Sequence, residues 1–411
     1  MEFRATPLLQ VFLQWEEEKI PVGRLAIQKG QIYFQYQDSF LEQALPLSPF
    51  RLPLTQELFS GEPHLFEGLH GLFNDSLPDG WGRLLLDRSL LSKGIAYQQL
   101  TPLDRLAFVG SSAMGALTYE PETATEPPDD QVIHLDQLAR DVTAILEGSS
   151  GEVVTRLLTM GGGSSAGARP KILASYNHGS DQLLTGTQQV PTGYEPWLIK
   201  FASTTDQPDI GNIEYAYSKM AQAAGIETSE TRLFTGQGKR QYFGTRRFDR
   251  IGNRRLHMHS ASGLLGADHR FPSLDYDNLM RATLALCKDH RELTKVYRLM
   301  CFNVFAHNRD DHSKNFAFLM AETGTWSFAP AYDLTFSYGP GGEHSAALLG
   351  EGRNPGTPQL LKMASKFGIQ QPKNIIEEVR TTVDQWPAFA QAANVSEASI
   401  LSIRNTLNKI S

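Results

Sequence analysis

The chain has 411 residues of ordinary globular composition, a net charge of −7 and only two cysteines, Cys287 and Cys301. That length allows two or three domains with their own cores, the cysteines support neither a disulfide framework nor a zinc ribbon, and the acidic balance excludes a chain that wraps nucleic acid over its whole surface. Residues Met1 to Thr6 lack the apolar core of a signal peptide and no apolar run of about 18 residues occurs, so a soluble, cytoplasmic protein with no membrane contact is expected.

Short apolar runs at Leu8 to Leu13, Val22 to Ile27 and Ile32 to Tyr36, with Gln28-Lys29-Gly30 as a turn, predict a small antiparallel sheet. From Phe66 the period lengthens, and Pro78-Asp79-Gly80 separates one helix from a second through Trp81 to Leu91. The apolar-poor stretch Glu120 to Asp130 reads as a linker or exposed loop. Helical spacing returns at Gln137 to Leu146, followed by a glycine-rich segment from Met160 to Ala168. Strands are expected at Lys171 to Tyr176, Pro196 to Phe201, Arg232 to Phe234 and Tyr242 to Arg247, with a helix at Asn212 to Ala224 stopped by Gly225. Beyond about residue 275 the pattern is mostly helical, notably Leu279 to Leu286, Val296 to Phe305 and Ile375 to Val383. Basic islands at Lys239-Arg240 and Arg246-Arg247 leave room for a local patch, with any DNA contact delegated to a partner.

Asp310 and Asn315 are spaced D-x-x-x-x-N, which lets a carboxylate face an attacking hydroxyl while an amide oxygen one turn later meets magnesium. Asp333 follows 23 positions downstream at the end of a short apolar run, where a second metal ligand would sit. Upstream come a glycine-rich segment from Gly161 to Gly167, then Lys200 on a strand and Glu214 on a helix. These parts, in this order, are those of phosphoryl transfer: backbone amides over phosphates, a lysine on them, a carboxylate steering that lysine, an acceptor-orienting aspartate and two metal ligands.

Other phosphate motifs fit less well. A Walker loop fails because Gly162 and Gly167 are followed by Ala168 and Arg169 in place of Lys-Ser/Thr. The dinucleotide pattern matches Gly161, Gly163 and Ala166, but a helix-like stretch precedes it and Asp181, the nearest acidic candidate, lies in a polar loop. Asp310-Asp311-His312 could alternatively ligate a metal, and His312 either braces its loop or touches nucleotide. His257 and His259 share one strand face without a third spaced ligand, so no metal beyond nucleotide-bound magnesium is implied.

Two stretches carry a family resemblance. Asn308-Arg309-Asp310-Asp311-His312-Ser313-Lys314-Asn315-Phe316 resembles the D-x-H-x-K-N-F catalytic loop of the HipA serine/threonine kinases, the toxin halves of bacterial toxin–antitoxin pairs, and Ala329-Pro330-Ala331-Tyr332-Asp333 resembles their A-P-x-Y-D metal segment. Phe73 to Gly82 and Leu45 to Phe50 extend the likeness to the β-rich beginning. The resemblance implies an α+β, two-lobed protein-kinase-like fold: a β-rich N-terminal subdomain over residues 1–125, a kinase N-lobe-like region with the glycine-rich loop over 126–255, and a helical C-lobe over 256–411. It makes Asp310 catalytic, His312 and Asn315 nucleotide and magnesium neighbours, Asp333 the second metal aspartate and Lys200 the phosphate lysine. Ser164 to Lys171 resembles the S-x-x-G-A-x-x-K loop, so Ser164, with Ser165 beside it, becomes an autophosphorylation site and Gly167 part of the nucleotide cradle. Arg169-Pro170 stands where the family often has Gln-Glu. Arg247-Phe248-Asp249-Arg250 resembles the R-F-D-R segment near the adenine, with Phe248 as a pocket wall. ATP and Mg2+ are the implied cofactors, a small HipB-like DNA-binding antitoxin the implied partner, and a protein, with aminoacyl-tRNA synthetases suggested by other members, the implied substrate. A small-molecule phosphotransferase and a non-catalytic regulatory module of the antitoxin are the competing readings.

Overall fold

In a computed structural model of the chain, residues 5–410 are described apart from 93, 124–130, 150, 159–166, 186–188, 239 and 272. They form two compact units, one from residues 1–208, 234–259 and 320–324, the other from 209–233, 260–319 and 325–411. Among the described residues, no helix is long and apolar enough to cross a membrane.

The first unit begins with alternation. In β1 (Leu8–Gln14) the side chains of Leu9, Val11 and Leu13 are buried and those between are not, so one sheet face is apolar. β2 (Lys19–Gln28) and β3 (Gln31–Tyr36) join through Lys29 and Gly30, both left-handed at φ 50° and 78°, the geometry that matches a hairpin to strand twist. With β4 (Phe59–Ser60) and β5 (Leu117–Glu120) they make an antiparallel sheet ordered β4-β3-β2-β1-β5. The expected break at Glu120 starts later, because Glu120 pairs with Gln10 in the sheet and the Thr123 N–H donates to Ala107 O at 2.8 Å. Residues 124–130 lie outside the described residues.

A second sheet follows: β6 (Lys171–Asn177), β7 (Gln182–Leu184), β8 (Glu195–Lys200), β9 (Thr231–Thr235) and β10 (Gln241–Arg246), ordered β7-β6-β8-β10-β9. Edge-to-face rings of Tyr176, Trp197 and Phe234, with centroids 4.9 to 5.6 Å apart, fill one face. Trp81 and Leu85 of the helix Gly80–Ser92 join the same core, as do Leu138, Val142 and Ile145 of the helix Leu135–Leu146. One core therefore spans both sides of residue 125. The expected surface patch at Arg246-Arg247 does not form, because Arg246 is exposed and paired with Glu195, whereas Arg247 is buried against Asp249.

The second unit is helical, with Ile210–Ala223, Tyr276–Cys287, His290–Phe305, Thr357–Phe367, Pro372–Val383, Trp386–Ala392 and Glu397–Leu407 as its main helices. Asp275, Asp289 and Ser396 cap three of them, each accepting a backbone N–H with its side chain. From Leu299 to Phe305 every side chain of His290–Phe305 is buried, making this the central helix of the unit. Its last turn delivers the chain straight into residues 307–315. Tyr217 fixes that exit by donating its hydroxyl to Ala306 O at 2.8 Å.

Candidate active site

Neighbouring acidic residues in the 307–315 loop point opposite ways: Asp310 is exposed and Asp311 is buried. The carboxylate of Asp311 accepts from the Tyr276 hydroxyl at 2.8 Å, from His344 Nδ1 at 2.9 Å and from the Ala346 N–H at 3.1 Å. Behind Tyr276, Asn303 Nδ2 donates to its hydroxyl and Asn308 Nδ2 donates to Asn303 Oδ1, both at 2.9 Å. A buried polar network of this kind fixes backbone position, because each donor or acceptor left alone would cost about 1–3 kcal/mol. Asp310 is thereby held on a rigid base while its own carboxylate faces outward.

The far end of the loop closes on its beginning. Asn315 Nδ2 donates to Asp310 O at 2.7 Å and the Asn315 N–H to His312 O at 2.8 Å, which leaves the amide oxygen to serve as an acceptor or ligand. His312 Nδ1 is buried with no hydrogen-bond partner among the described residues, and its ring lies 5.6 Å from that of His269. The 329–333 segment is tied to this loop by Tyr332, whose hydroxyl donates to Lys314 O at 2.5 Å. Next to it, Asp333 is half-buried and left-handed at φ 56°, a conformation that Asp tolerates better than most residues. Asp310, Asn315 and Asp333 thus occupy two joined loops of the second unit.

In the first unit, Lys200 and Lys171 are directly opposite each other in the antiparallel pair β6–β8, and both are buried. Lys200 Nζ lies 5.6 Å from the centroid of Phe243. Strand register, not sequence spacing, brings Lys171 opposite Lys200. Gly167 is left-handed at φ 108°, and a Cβ there would collide with Lys171 Nζ. Its N–H donates to the Asp79 carboxylate, Gly167 O accepts the Trp81 N–H at 3.2 Å, and Trp81 Nε1 donates to Lys171 O at 3.1 Å. Gly80 permits this approach, since a Cβ on it would lie 2.5 Å from Ala168 Cα. The Asp79-Gly80-Trp81 turn is therefore a brace for the end of the glycine-rich segment. Ser164 and Ser165 lie outside the described residues.

Glu214 is buried on the helix Ile210–Ala223, in the second unit and not in the unit that carries Lys200. Phe248 is half-buried in the turn after β10. Its neighbour Asp249 is fully buried: burial alone would raise its pKa, but the Arg247 and Arg250 guanidiniums hold it well below the usual carboxylate range. Those pairs are 2.8 and 2.6 Å long, and the Gly115 N–H adds a third bond at 2.7 Å. The two strand histidines are structural. His259 bridges Asp75 and Ser48 at 2.6 and 2.9 Å, and His257 Nε2 lies 3.0 Å from Leu47 O.

Residues 10–120 match the HipA N-terminal domain and residues 163–386 the HipA-like C-terminal domain. Y4mE of Sinorhizobium fredii (strain NBRC 101917 / NGR234), a protein named as a proposed kinase, is 28% identical over 418 residues, covering 94% of this chain and 86% of that one. Among solved structures, a chain of the Shewanella oneidensis MR-1 complex of HipA, HipB and operator DNA, a toxin–antitoxin system, matches with a TM-score of 0.68 at 17% identity, over 97% of this chain and 95% of its own. That likeness establishes a two-lobed α+β kinase-like fold. With its C-terminal domain match spanning more than half of the sequence, the chain belongs to the HipA family.

Proposed function

We propose that this chain is an ATP- and magnesium-dependent serine/threonine protein kinase, the toxin of a HipBA-type toxin–antitoxin pair. The observation that carries the proposal is the exposed Asp310 on a loop immobilised through buried Asp311, with Asn315 and Asp333 on joined segments. In the transfer step the acceptor hydroxyl oxygen bonds to the γ-phosphorus, the bond from that phosphorus to the β,γ-bridging oxygen breaks, and ADP leaves with the electron pair. The hydroxyl proton passes to the Asp310 carboxylate. Lys200 and Lys171 hold the phosphates, Gly167 lets the backbone approach them, His312 and Phe248 face the nucleotide, and Glu214 steers the phosphate lysine.

The amide oxygen of Asn315 and the carboxylate of Asp333 are hard oxygen donors of the kind magnesium selects. When bound, the ion would supply charge neutralisation at the phosphates. The matched Shewanella complex supports a HipB-like antitoxin as the partner. In this proposal DNA is reached only through that partner, in the cytoplasm. The acceptor is then a protein, for which the family resemblance suggests an aminoacyl-tRNA synthetase. Ser164 is the proposed autophosphorylation site, where a phosphate of about −1.5 to −2 charges would repel ATP.

Titrating ATP with and without magnesium, and mapping phosphate by mass spectrometry after incubation with ATP, tests the set. Asp333→Ala should weaken ATP binding chiefly in the presence of the ion, and Ser164 should carry phosphate. Equal losses with and without magnesium, or phosphate found only elsewhere, count against the respective roles.

A further inference from the structure

Beside Asp310, within the second unit, lies a pocket of about 540 Å³ walled by His269, Arg270, Asp310, His312, Tyr338 and Ser345 among others. Its outer wall, residues 337–345, is built onto the catalytic loop by backbone pairing. The Ser337 N–H donates to His307 O at 3.0 Å, His307 Nδ1 lies 2.9 Å from Ser337 O, and the Ser345 N–H donates to Arg309 O at 3.1 Å. Gly339 is left-handed at φ 70°, and a Cβ there would collide with the Glu343 carbonyl and the Arg309 side chain, so the wall turns at a position that only glycine fills. Rings reinforce it: Phe336 stacks on His307 at 5.2 Å and Tyr338 sets its edge against Phe336 at 4.9 Å.

The rim carries one exposed aromatic: Tyr338, which lines the pocket, is 60% exposed. Large apolar surface held open at the edge of a polar pocket marks a place where another molecule packs. Arg270 does not make the pocket an anion trap, because Asp268 holds its guanidinium through Nε and Nη2 at 3.0 and 2.6 Å. A phosphorylated or carboxylated metabolite would find little uncompensated positive charge there, whereas a chain longer than the pocket would reach Tyr338 on its rim.

We infer that this pocket receives the acceptor side chain of an extended polypeptide, with an apolar or aromatic residue beside the phosphoacceptor packed on Tyr338. The inference rests on the kinase reading and assigns Tyr338 as its specificity determinant. The hydroxyl enters beside Asp310 and transfer proceeds with the atom and proton balance given above.

An oriented library of serine and threonine peptides, phosphorylated from ATP, tests it. Wild-type protein should favour peptides with an apolar or aromatic flanking residue. Tyr338→Ala should raise KM for those peptides about tenfold with kcat within about twofold and ATP affinity unchanged, and Tyr338→Phe should restore KM. A wild-type protein that modifies no acceptor overturns the kinase reading along with the pocket. Peptide phosphorylation without flanking preference, an unchanged KM in Tyr338→Ala, or transfer to small metabolites alone overturns the pocket assignment and leaves phosphoryl transfer standing.

Discussion

Asp249 in the first unit and Asp311 in the second are both buried carboxylates, and each gathers distant segments around itself by different chemistry. Asp249 sits among guanidiniums, with Arg255 also buried nearby and donating to Ser111 O at 2.9 Å, so its environment holds more positive than negative charge. Asp311 is met by a phenol, an imidazole and a backbone amide. An ion-pair hub welds a scaffold but leaves unpaired charge when any member is lost. A hub of mostly neutral donors holds a loop in one geometry at smaller electrostatic stakes, which suits a segment whose neighbour is the proposed base.

Removing the hubs sharpens that contrast. Asp249→Ala strands buried arginines and should destabilise the first unit by about 3–5 kcal/mol. Urea unfolding followed by tryptophan fluorescence checks it, since Trp81 and Trp197 are buried in that unit's core; a loss below about 1 kcal/mol breaks the comparison.

Acid is the next largest perturbation. Burial, aided by neighbouring His259, lowers the His257 pKa to about 4, below its unfolded value. Between those values the unfolded chain binds more protons, so this contribution is complete above about pH 6.5 and lost as pH falls toward 4, by up to about 3 kcal/mol. Asp249 acts in the same direction only at still lower pH, where its depressed pKa makes protonation unfavourable to the fold. A His257→Phe variant whose stability falls just as steeply between pH 6.5 and 4 would show that another group carries the slope.

For Asp311→Asn the expected loss is about 1–3 kcal/mol, because one acceptor oxygen becomes a donor facing a donor. Phosphoryl transfer should drop with it, while Asp310→Asn should leave stability within about 0.5 kcal/mol and reduce transfer at least about a hundredfold. Melting temperature and steady-state transfer measured on both variants separate the roles. Equal destabilisation by the two changes would mean that the loop does not divide its neighbouring carboxylates into base and anchor.

Much of this molecule was legible in its sequence where chemistry is local. The alternation in Leu8 to Leu13, the Lys29-Gly30 turn and the helical spacing around Val296 to Phe305 all appear as expected, because hydrophobic period and turn chemistry act over a few residues. The spacing of Asp310 and Asn315 likewise corresponds to one closed loop. Register and burial were not legible. Nothing in the order of residues says that Lys171 faces Lys200, that Asp311 and not Asp310 turns inward, or that the charged side chains of Arg247, Asp249 and Arg250 are packed inside. Each depends on partners tens or hundreds of positions away.

The Asp79-Gly80-Trp81 brace has a consequence for anyone dividing this chain. The family's two domain matches, 10–120 and 163–386, put the turn in one piece and Gly167 and Lys171 in the other. A fragment starting near residue 126 would keep every residue assigned to chemistry, yet expose the face from which Trp81 was withdrawn and leave the Gly167 N–H and the Lys171 carbonyl to water. The amino-terminal piece is thus an internal splint for Gly167 and the start of β6, and cutting there removes a support that no inventory of proposed catalytic residues contains.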